Sequence, residues 1–468
     1  MSADRLAFWQ LECFASHQAV SDESGRAVAY AELAALADAA AAALREGQVF
    51  GLACSNTLAG LALYLGALRK GAVPLMLDAG LDAAARDGLL QAYGVGAWFE
   101  AASAAWHGDP ASAASPVVHP SLGLLLSTSG STASPKLVRL SRDNLAANAA
   151  SIVSYLGLGA DEVAITTLPM HYSYGLSIVN SHLACGARLV LTEATVAQAD
   201  FWQRMRDEAV TSLSGVPTLW RLLWRLRFER MALPALRTLT QAGGRLEPDE
   251  IAALAAGAAM AGRRLFVMYG QTEATARIAY LPPERLADKA GSIGIAIPGG
   301  ELALLQADGQ VLDGEAEGEL AYRGPNVMLG YAEQPADLRR GAEVEWLRTG
   351  DLARRDADGF HWITGRLKRF IKLFGHRVNL DEVEQGLRAR GLEAGVVGRD
   401  DRLQVGLVGQ DADAARLLAR ELAGQLRCAH QAVEVKPLQS LPLGSNGKPL
   451  YARLQALLDE PAPENSHA

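Results

Sequence analysis

No run of about twenty apolar residues occurs in the chain, so a membrane-spanning helix is not expected. The opening segment MSADRLAFWQLECF lacks a basic start followed by an apolar stretch, and the expected location is cytoplasmic. Cysteine is scarce: Cys13, Cys54, Cys185 and Cys428 are scattered. None has C-x-x-C or metal-ligand spacing, so reduced, buried thiols are expected rather than a disulfide framework or a zinc site. Positive charge is not in excess either. Lys and Arg number 44 against 52 Asp and Glu, a net charge of −8, which gives no reason to expect nucleic acid or an anionic membrane as partner. Internal repeats are absent. What remains is ordinary globular composition, half apolar and 21% charged over 468 residues, enough for a large core and more than one domain.

The first 290 or so residues alternate helical and strand patterns. Tyr30 to Arg45 reads as a helix, Val49 to Cys54 as a strand, and Asn56 as the cap of a helix running to Lys70, followed by a strand from Ala72 to Leu77. The rhythm returns in helix Tyr174 to Cys185, strand Ala187 to Thr192, helix Asp200 to Ala209 and strand Thr211 to Val216, and closes with Ile251 to Ala261 and Arg264 to Tyr269. Such alternation predicts parallel sheets covered by helices. From Ile293 to Ile363, turn clusters such as Ala307-Asp308-Gly309 and Asp356-Ala357-Asp358-Gly359 predict short hairpins. After Gly365 come a strand from Phe370 to Leu373, a capping box of Asn379 with Glu382 for a helix to Arg390, two strands flanking Arg399-Asp400-Asp401, and a helix from Asp413 to Gln425. The fold class is α/β. A large N-terminal domain (1–366) of parallel-rich sheets covered by helices, with a small β-barrel-like part, is expected before a hinge (367–369) and a small mobile α+β domain (370–459). The polar tail 460–468 is expected to be disordered.

The apolar strand Leu122 to Leu126 runs into Ser127-Thr128-Ser129-Gly130-Ser131-Thr132-Ala133-Ser134-Pro135-Lys136. Hydroxyls and backbone N–H groups can donate to phosphate oxygens, and the lysine supplies a point charge. The run is not a Walker A loop. Gly130 and Lys136 have its outer spacing, but Pro135 replaces the second glycine and Leu137 the magnesium-binding hydroxyl. TSGSTASPK instead resembles the TSGSTG-x-PK signature of the ANL superfamily of adenylate-forming enzymes, which includes acyl-CoA synthetases, peptide-synthetase adenylation domains and luciferases. Ala133 departs from the family's glycine; if that position has positive φ, alanine costs about 1 kcal/mol.

Further motifs follow in the order the resemblance requires, over Leu122 to Tyr451. Gly243-Gly244 follows a strand; in the family such a pair lets backbone approach nucleotide and acyl group. Tyr269-Gly270-Gln271-Thr272-Glu273 matches YG-x-TE, which implies an aromatic face for adenine, a donor to the α-phosphate in Thr272 and a hard oxygen ligand for Mg²⁺ in Glu273. Read locally, Thr272 is equally a helix cap with Glu273 answering the helix dipole. The stretch from Gly318-Glu319-Leu320 to Gly330-Tyr331 resembles a scaffold segment. Thr349-Gly350-Asp351 matches TGD, with Asp351 expected on the ribose hydroxyls. GRLKRFIKLFGHRVNLDEVE resembles the hinge motif, which places Arg366 at ribose and phosphate, Lys368 at the hinge and Gly375 beside a pantetheine passage. Leu441-Pro442 and Ser445-Asn446-Gly447-Lys448 match the position of the family's adenylation lysine, so Lys448 takes that role.

Leu168-Pro169-Met170-His171-Tyr172-Ser173-Tyr174-Gly175 resembles the substrate and gate segment LP-x-x-H-x-Y-G. Tyr172 stands where many members have the gating histidine, with His171 one position earlier. Ser173 falls where amino-acid activators keep an aspartate, and serine cannot pair an ammonium as a carboxylate does. The resemblance therefore implies an ATP- and Mg²⁺-dependent ligase that activates a small fatty, aryl or organic acid without an α-amine. The acceptor is coenzyme A, or phosphopantetheine on a separate acyl carrier protein, since no carrier domain follows the lysine motif. An enzyme passing its acyl-AMP to an amine is the near alternative, and an inactive nucleotide-binding regulator is one of another class. The region before the phosphate loop is short for the family, so the large domain is expected to be trimmed.

Overall fold

The structure, a computed structural model, describes residues 7–22, 24–127, 136–367, 369–373, 376–426, 428–444 and 448–460. Two sheets form the large N-terminal part. The first has nine strands, and its central run is parallel: Arg264–Tyr269, Thr238–Gln241, Ser212–Gly215, Val163–Ile165, Arg188–Val190 and Gln18–Ser21 lie side by side. The second has seven, with Leu122–Ser127, Val73–Asp78, Val49–Cys54 and Trp98–Glu100 parallel at its centre. In the second sheet the central strands are mainly apolar because both faces are covered: Val49–Cys54 is buried at all six positions. Helices Leu58–Lys70, Arg142–Leu156 and Ser173–Ala184 contribute to one continuous core that reaches both sheets. The β-barrel-like part is a five-stranded antiparallel sheet from Glu301–Leu305 to His361–Arg366.

Beyond it, strands Ala394–Arg399, Arg402–Val408 and Val433–Leu438 form a separate sheet packed by helices Leu380–Ala389, Ala412–Gln425 and Tyr451–Asp459. It has its own core around Leu373, Val396, Leu403 and Leu418. No described helix is long and apolar enough to cross a membrane.

Most elements lie within two or three residues of expectation. Four local readings change. The first helix ends at Ala40, because Ala42 and Leu44 bond three residues back, to Ala39 and Ala41, and tighten the chain into a turn. Thr57, not Asn56, caps the next helix through the Gly60 N–H; Asn56 turns its amide to the Leu168 carbonyl. Asn379 does cap its helix at the Asp381 N–H, but Glu382 accepts from the Asn379 side-chain amide rather than closing a backbone box. Of the four thiols only Cys54 is buried; Cys13 is exposed and the other two are half-buried.

Tyr30 opens the first helix, is wholly buried, and donates its hydroxyl to the Ala187 carbonyl at 2.6 Å. Tyr30→Phe leaves that acceptor unpaired and is expected to destabilise the N-terminal part by about 1–3 kcal/mol. A lower urea midpoint at unchanged slope would register this; an unchanged midpoint would refute it.

Candidate active site

Parallel strands deliver their carboxyl ends to one edge, and ligands of α/β sheets bind there. Along the first sheet, three of those ends are followed by the loops singled out in the sequence. Val163–Ile165 leads to Leu168–Tyr172, Thr238–Gln241 to Gly243-Gly244, and Arg264–Tyr269 to Gly270–Glu273. In the second sheet, Leu122–Ser127 leads to the phosphate-loop residues Thr128, Ser129, Gly130, Ser131 and Thr132, which lie outside the described residues, as do Lys368 and Gly375.

Asp351 is the hub. It is 3% exposed, accepts the Tyr269 hydroxyl at 2.5 Å and the Gln271 amide at 3.4 Å on Oδ2, and meets Arg366 Nε on Oδ1 at 3.0 Å. Burial and the facing carboxylate hold the Tyr269 hydroxyl well above its ordinary pKa, so it stays a donor. Arg366 keeps more than half of its side chain in solvent.

Glu273 accepts the Tyr331 hydroxyl at 2.7 Å. The Tyr331 ring in turn carries the Lys136 ammonium at 3.6 Å from its centroid, and Lys136 also pairs with Glu333 at 3.6 Å. Thr272 is the first residue of a single 3₁₀ turn whose cap position is Gln271, with no side-chain cap bond. Its hydroxyl instead meets the Ser173 hydroxyl at 3.3 Å. Among the described residues no group of three acidic, His or Cys side chains could cage a metal. A lone carboxylate such as Glu273 suits Mg²⁺, which binds through one or two carboxylates together with substrate phosphate oxygens and water.

The glycines have identifiable work. Gly243 has φ +83°, and a Cβ there would lie 2.4 Å from the Tyr172 hydroxyl. At Gly270 a Cβ would lie 1.9 Å from the Ala276 carbonyl, so the loop after Tyr269 doubles back on itself. Gly175 sits 2.4 Å, by the same measure, from the Pro169 carbonyl and seats its helix against the gate segment; Gly244 faces Pro217 more loosely at 3.1 Å. His171 faces Asp78, Nε2 to Oδ2 3.5 Å, and burial lowers its pKa against the pull of that carboxylate.

Lys448 comes from the C-terminal part and lies with its ammonium 6.0 Å from the Tyr172 ring centroid. Its pKa is pushed down, first by burial and then by Arg366, against the attraction of Asp351 and Glu273. The structure thus gathers Tyr172, Ser173, Thr272, Glu273, Asp351, Arg366 and Lys448 around one space. Sequence reasoning assigned Tyr331 to scaffold and did not single out Gln271 or Asp78. The Gly330-Tyr331 pair was visible, but nothing in it announces that its hydroxyl would hold Glu273.

The family model described as AMP-binding enzyme matches residues 7–332. An indoleacetate–CoA ligase of Aromatoleum aromaticum is 34% identical over 349 residues, 71% of this chain and 67% of its own length. An oxalate–CoA ligase of Arabidopsis thaliana is 31% identical over 274 residues, 57% of this chain and 52% of its own length. The chain thus spans about half to two thirds of these curated relatives. An O-succinylbenzoate coenzyme A synthetase of Bacillus subtilis, solved in complex with ATP and magnesium ion, superposes with a TM-score of 0.79 at 24% identity, covering 96% of this chain and 99% of that one. At that identity the likeness concerns the fold.

The position of Lys448 is testable by titration. Arg366 opposes its charged form, so Arg366→Gln should raise the Lys448 pKa, whereas Asp351→Asn removes an attraction and should lower it further. NMR of reductively methylated lysines reads both shifts. A Lys448 resonance titrating with the exposed lysines in all three proteins would contradict this arrangement.

Proposed function

The chain belongs to the family of AMP-binding enzymes, and from that premise we propose that it is an ATP-dependent acid–thiol ligase that forms an acyl-adenylate and then a thioester. The observation that carries the reading is the convergence of Lys448, Glu273, Thr272 and the Asp351–Arg366 pair, contributed by separate segments, on one space.

A carboxylate must attack the α-phosphorus of ATP although both partners are anionic. One carboxylate oxygen forms a bond to phosphorus, and the bond to the β-phosphate bridging oxygen breaks, releasing pyrophosphate. Lys448 is suited to neutralise the approaching carboxylate and the charge developing on the bridging oxygen. Thr272 can donate to the α-phosphate. Glu273 would hold Mg²⁺, which neutralises phosphate charge when bound. Asp351 and Arg366 fit the ribose and phosphate region, with Tyr269 beside them for the base. Lys136 and the residues 128–132 before it are assigned to the β- and γ-phosphates. Gly243 and Gly244 let backbone approach the nucleotide and the acyl group.

The acyl-adenylate already has a good leaving group. A thiolate attacks the acyl carbon, the C–S bond forms, and AMP departs. No protein nucleophile is needed, which agrees with the scattered cysteines. The relatives are named as CoA ligases, which favours coenzyme A over a carrier protein as acceptor. The acids in those names differ, one with a single carboxylate and one with two, so they leave the acid open. Ser173 disfavours an α-amine. We place the domain boundary at 366, the hinge at 367–369 around Lys368, the small domain at 370–459, and the thiol passage beside Gly375. His171 and Tyr172 are assigned to the gate of the acid pocket, beside Gly175.

Pyrophosphate release over a panel of carboxylic acids, with and without coenzyme A, tests the reading; no acid-dependent release would sink it. Release without a thioester on coenzyme A would move the acceptor to a carrier protein or an amine. Lys448→Ala should slow acyl-AMP formation by roughly 10²–10³-fold while ATP binding changes little. If the chain turns at the proposed hinge, Lys368→Pro should impair thioester formation more than adenylation, and equal losses would argue against that.

A further inference from the structure

The space around Lys448 is assembled from two parts with separate cores, so its geometry depends on what fixes one part against the other. The helix Pro248–Met260 opens just after the Gly243-Gly244 turn and buries Ile251 and Leu254 in a core of the N-terminal part. The helix Leu380–Ala389 buries Leu380 and Leu387 in the core of the C-terminal part. Between them, Arg388 Nη1 faces Glu247 Oε1 at 3.5 Å. An ion pair whose two ends belong to different cores acts on the relative placement of the parts rather than on the stability of either.

Glu247 is a stiff anchor. It caps its helix: its side chain accepts the Glu250 N–H, and the Glu250 side chain accepts the Glu247 N–H at 2.8 Å. Glu250 is clamped in turn by Arg221, through Nε at 2.6 Å and Nη2 at 2.9 Å. Glu247 Oε1 is buried and accepts no hydrogen bond, so the Arg388 cation compensates the charge at that oxygen. Opposite charges recur across the same boundary: Arg388 also attracts Glu250, and Glu393 attracts Arg221. On its other side, Arg388 Nη2 lies 3.4 Å from Glu384 Oε1, one turn earlier. Glu384 is buried and accepts the Tyr451 hydroxyl at 3.2 Å. Arg369 closes the group, donating to Glu384 at 3.0 Å and lying with its guanidinium 3.6 Å from the Tyr451 ring centroid. Tyr451 opens the last helix, and Lys448 stands just before it in the chain.

We propose that Arg388 and Glu247 are positioning residues for Lys448. Contacts run from the segment after Gly243-Gly244 through Glu247, Arg388, Glu384 and Tyr451 to the segment that carries the lysine. The pair holds the C-terminal part where the Lys448 ammonium enters the adenylation site, and both residues act through Lys448 rather than on the reactants. Arg388 keeps 35% of its side chain in solvent and Glu247 23%, so the pair is weak enough to be made and broken during turnover. This rests on the adenylation reading for what Lys448 does; where Lys448 is held rests on the contacts alone.

Two half-reactions separate this role from a structural one. With an acid that releases pyrophosphate, Arg388→Gln and Glu247→Gln should each slow acyl-AMP formation roughly three- to tenfold, with the KM for ATP within a few fold. Glu247→Gln keeps a side-chain oxygen to cap the helix. Thioester formation from preformed acyl-AMP and coenzyme A should keep its rate in both variants. Arg388→Lys, which keeps a cation, should lose less than Arg388→Gln. Equal losses in the two half-reactions, an unchanged adenylation rate, or an effect of Arg388→Gln that Glu247→Gln does not share overturns the proposal and leaves adenylation standing. If no acid releases pyrophosphate, the adenylation reading fails instead. Labelling of Lys448 by succinimidyl acetate, read by peptide mass spectrometry, then decides the placement alone: faster labelling in both glutamine variants than in wild type supports the pair, and equal rates overturn it.

Discussion

A single buried carboxylate ties the site to the fold. Asp351 lies in the antiparallel sheet, where Arg366 faces it from the neighbouring strand, while Tyr269 and Gln271 reach it from the end of the last parallel strand. An ionised carboxylate at this depth is tolerated only with donors around it. Tyr269 and Gln271 fix the antiparallel sheet against the parallel one at the place where the base, the ribose and the acid would meet. Gln271 strengthens the tie by also donating to the Thr349 carbonyl at 2.9 Å. The nucleotide would then compete for groups already pre-oriented by one another, which lowers the ordering cost of binding.

Charge is arranged in the same spirit. Lys448 and Arg366 face each other as like charges, balanced by Asp351 and Glu273. In the absence of substrate the lysine is held in a place where its charge is disfavoured. On the proposed function, an incoming carboxylate or phosphate would relieve that condition. Tyr331 does related work on the other side, joining Glu273 by a hydrogen bond and Lys136 through its ring face. The cation proposed for phosphate and the carboxylate proposed for the metal are thereby kept close.

Much of this was legible in the sequence. Alternating periods exposed the parallel sheets, because strands buried on both faces read as apolar runs. The motif residues were legible because glycine, hydroxyl, acid and lysine in fixed order are rarely assembled for packing alone. What could not be read are the relations between segments distant in the chain. Nothing near Glu273 announces Tyr331, 58 residues on, and nothing near His171 announces Asp78. The cap at Thr57 was missed because Asn56 has the better side chain for capping in isolation; the Leu168 carbonyl claims its amide instead. Arg277, 2% exposed, was unreadable for a related reason. An arginine between alanine and isoleucine looks like any surface residue until the strained turn before it is seen to carry it inward.

The gate helix joins the two ends of this reading. Its first turn places Ser173 against Thr272, where the acid would be activated, and its later turns carry Ser177 and Ser181 past a buried cation. A helix face made of serines is a poor wall for a long apolar chain, since each hydroxyl would lose water without gaining a partner. Here the hydroxyls are partly occupied by the helix itself: Ser177 bonds the Tyr174 carbonyl at 2.7 Å and Ser181 the Ile178 carbonyl at 3.2 Å. With their donors so paired, Ser177 and Ser181 leave the small space beside the helix to apolar neighbours such as Ile152, Leu156 and Met268, and its size admits about one water molecule.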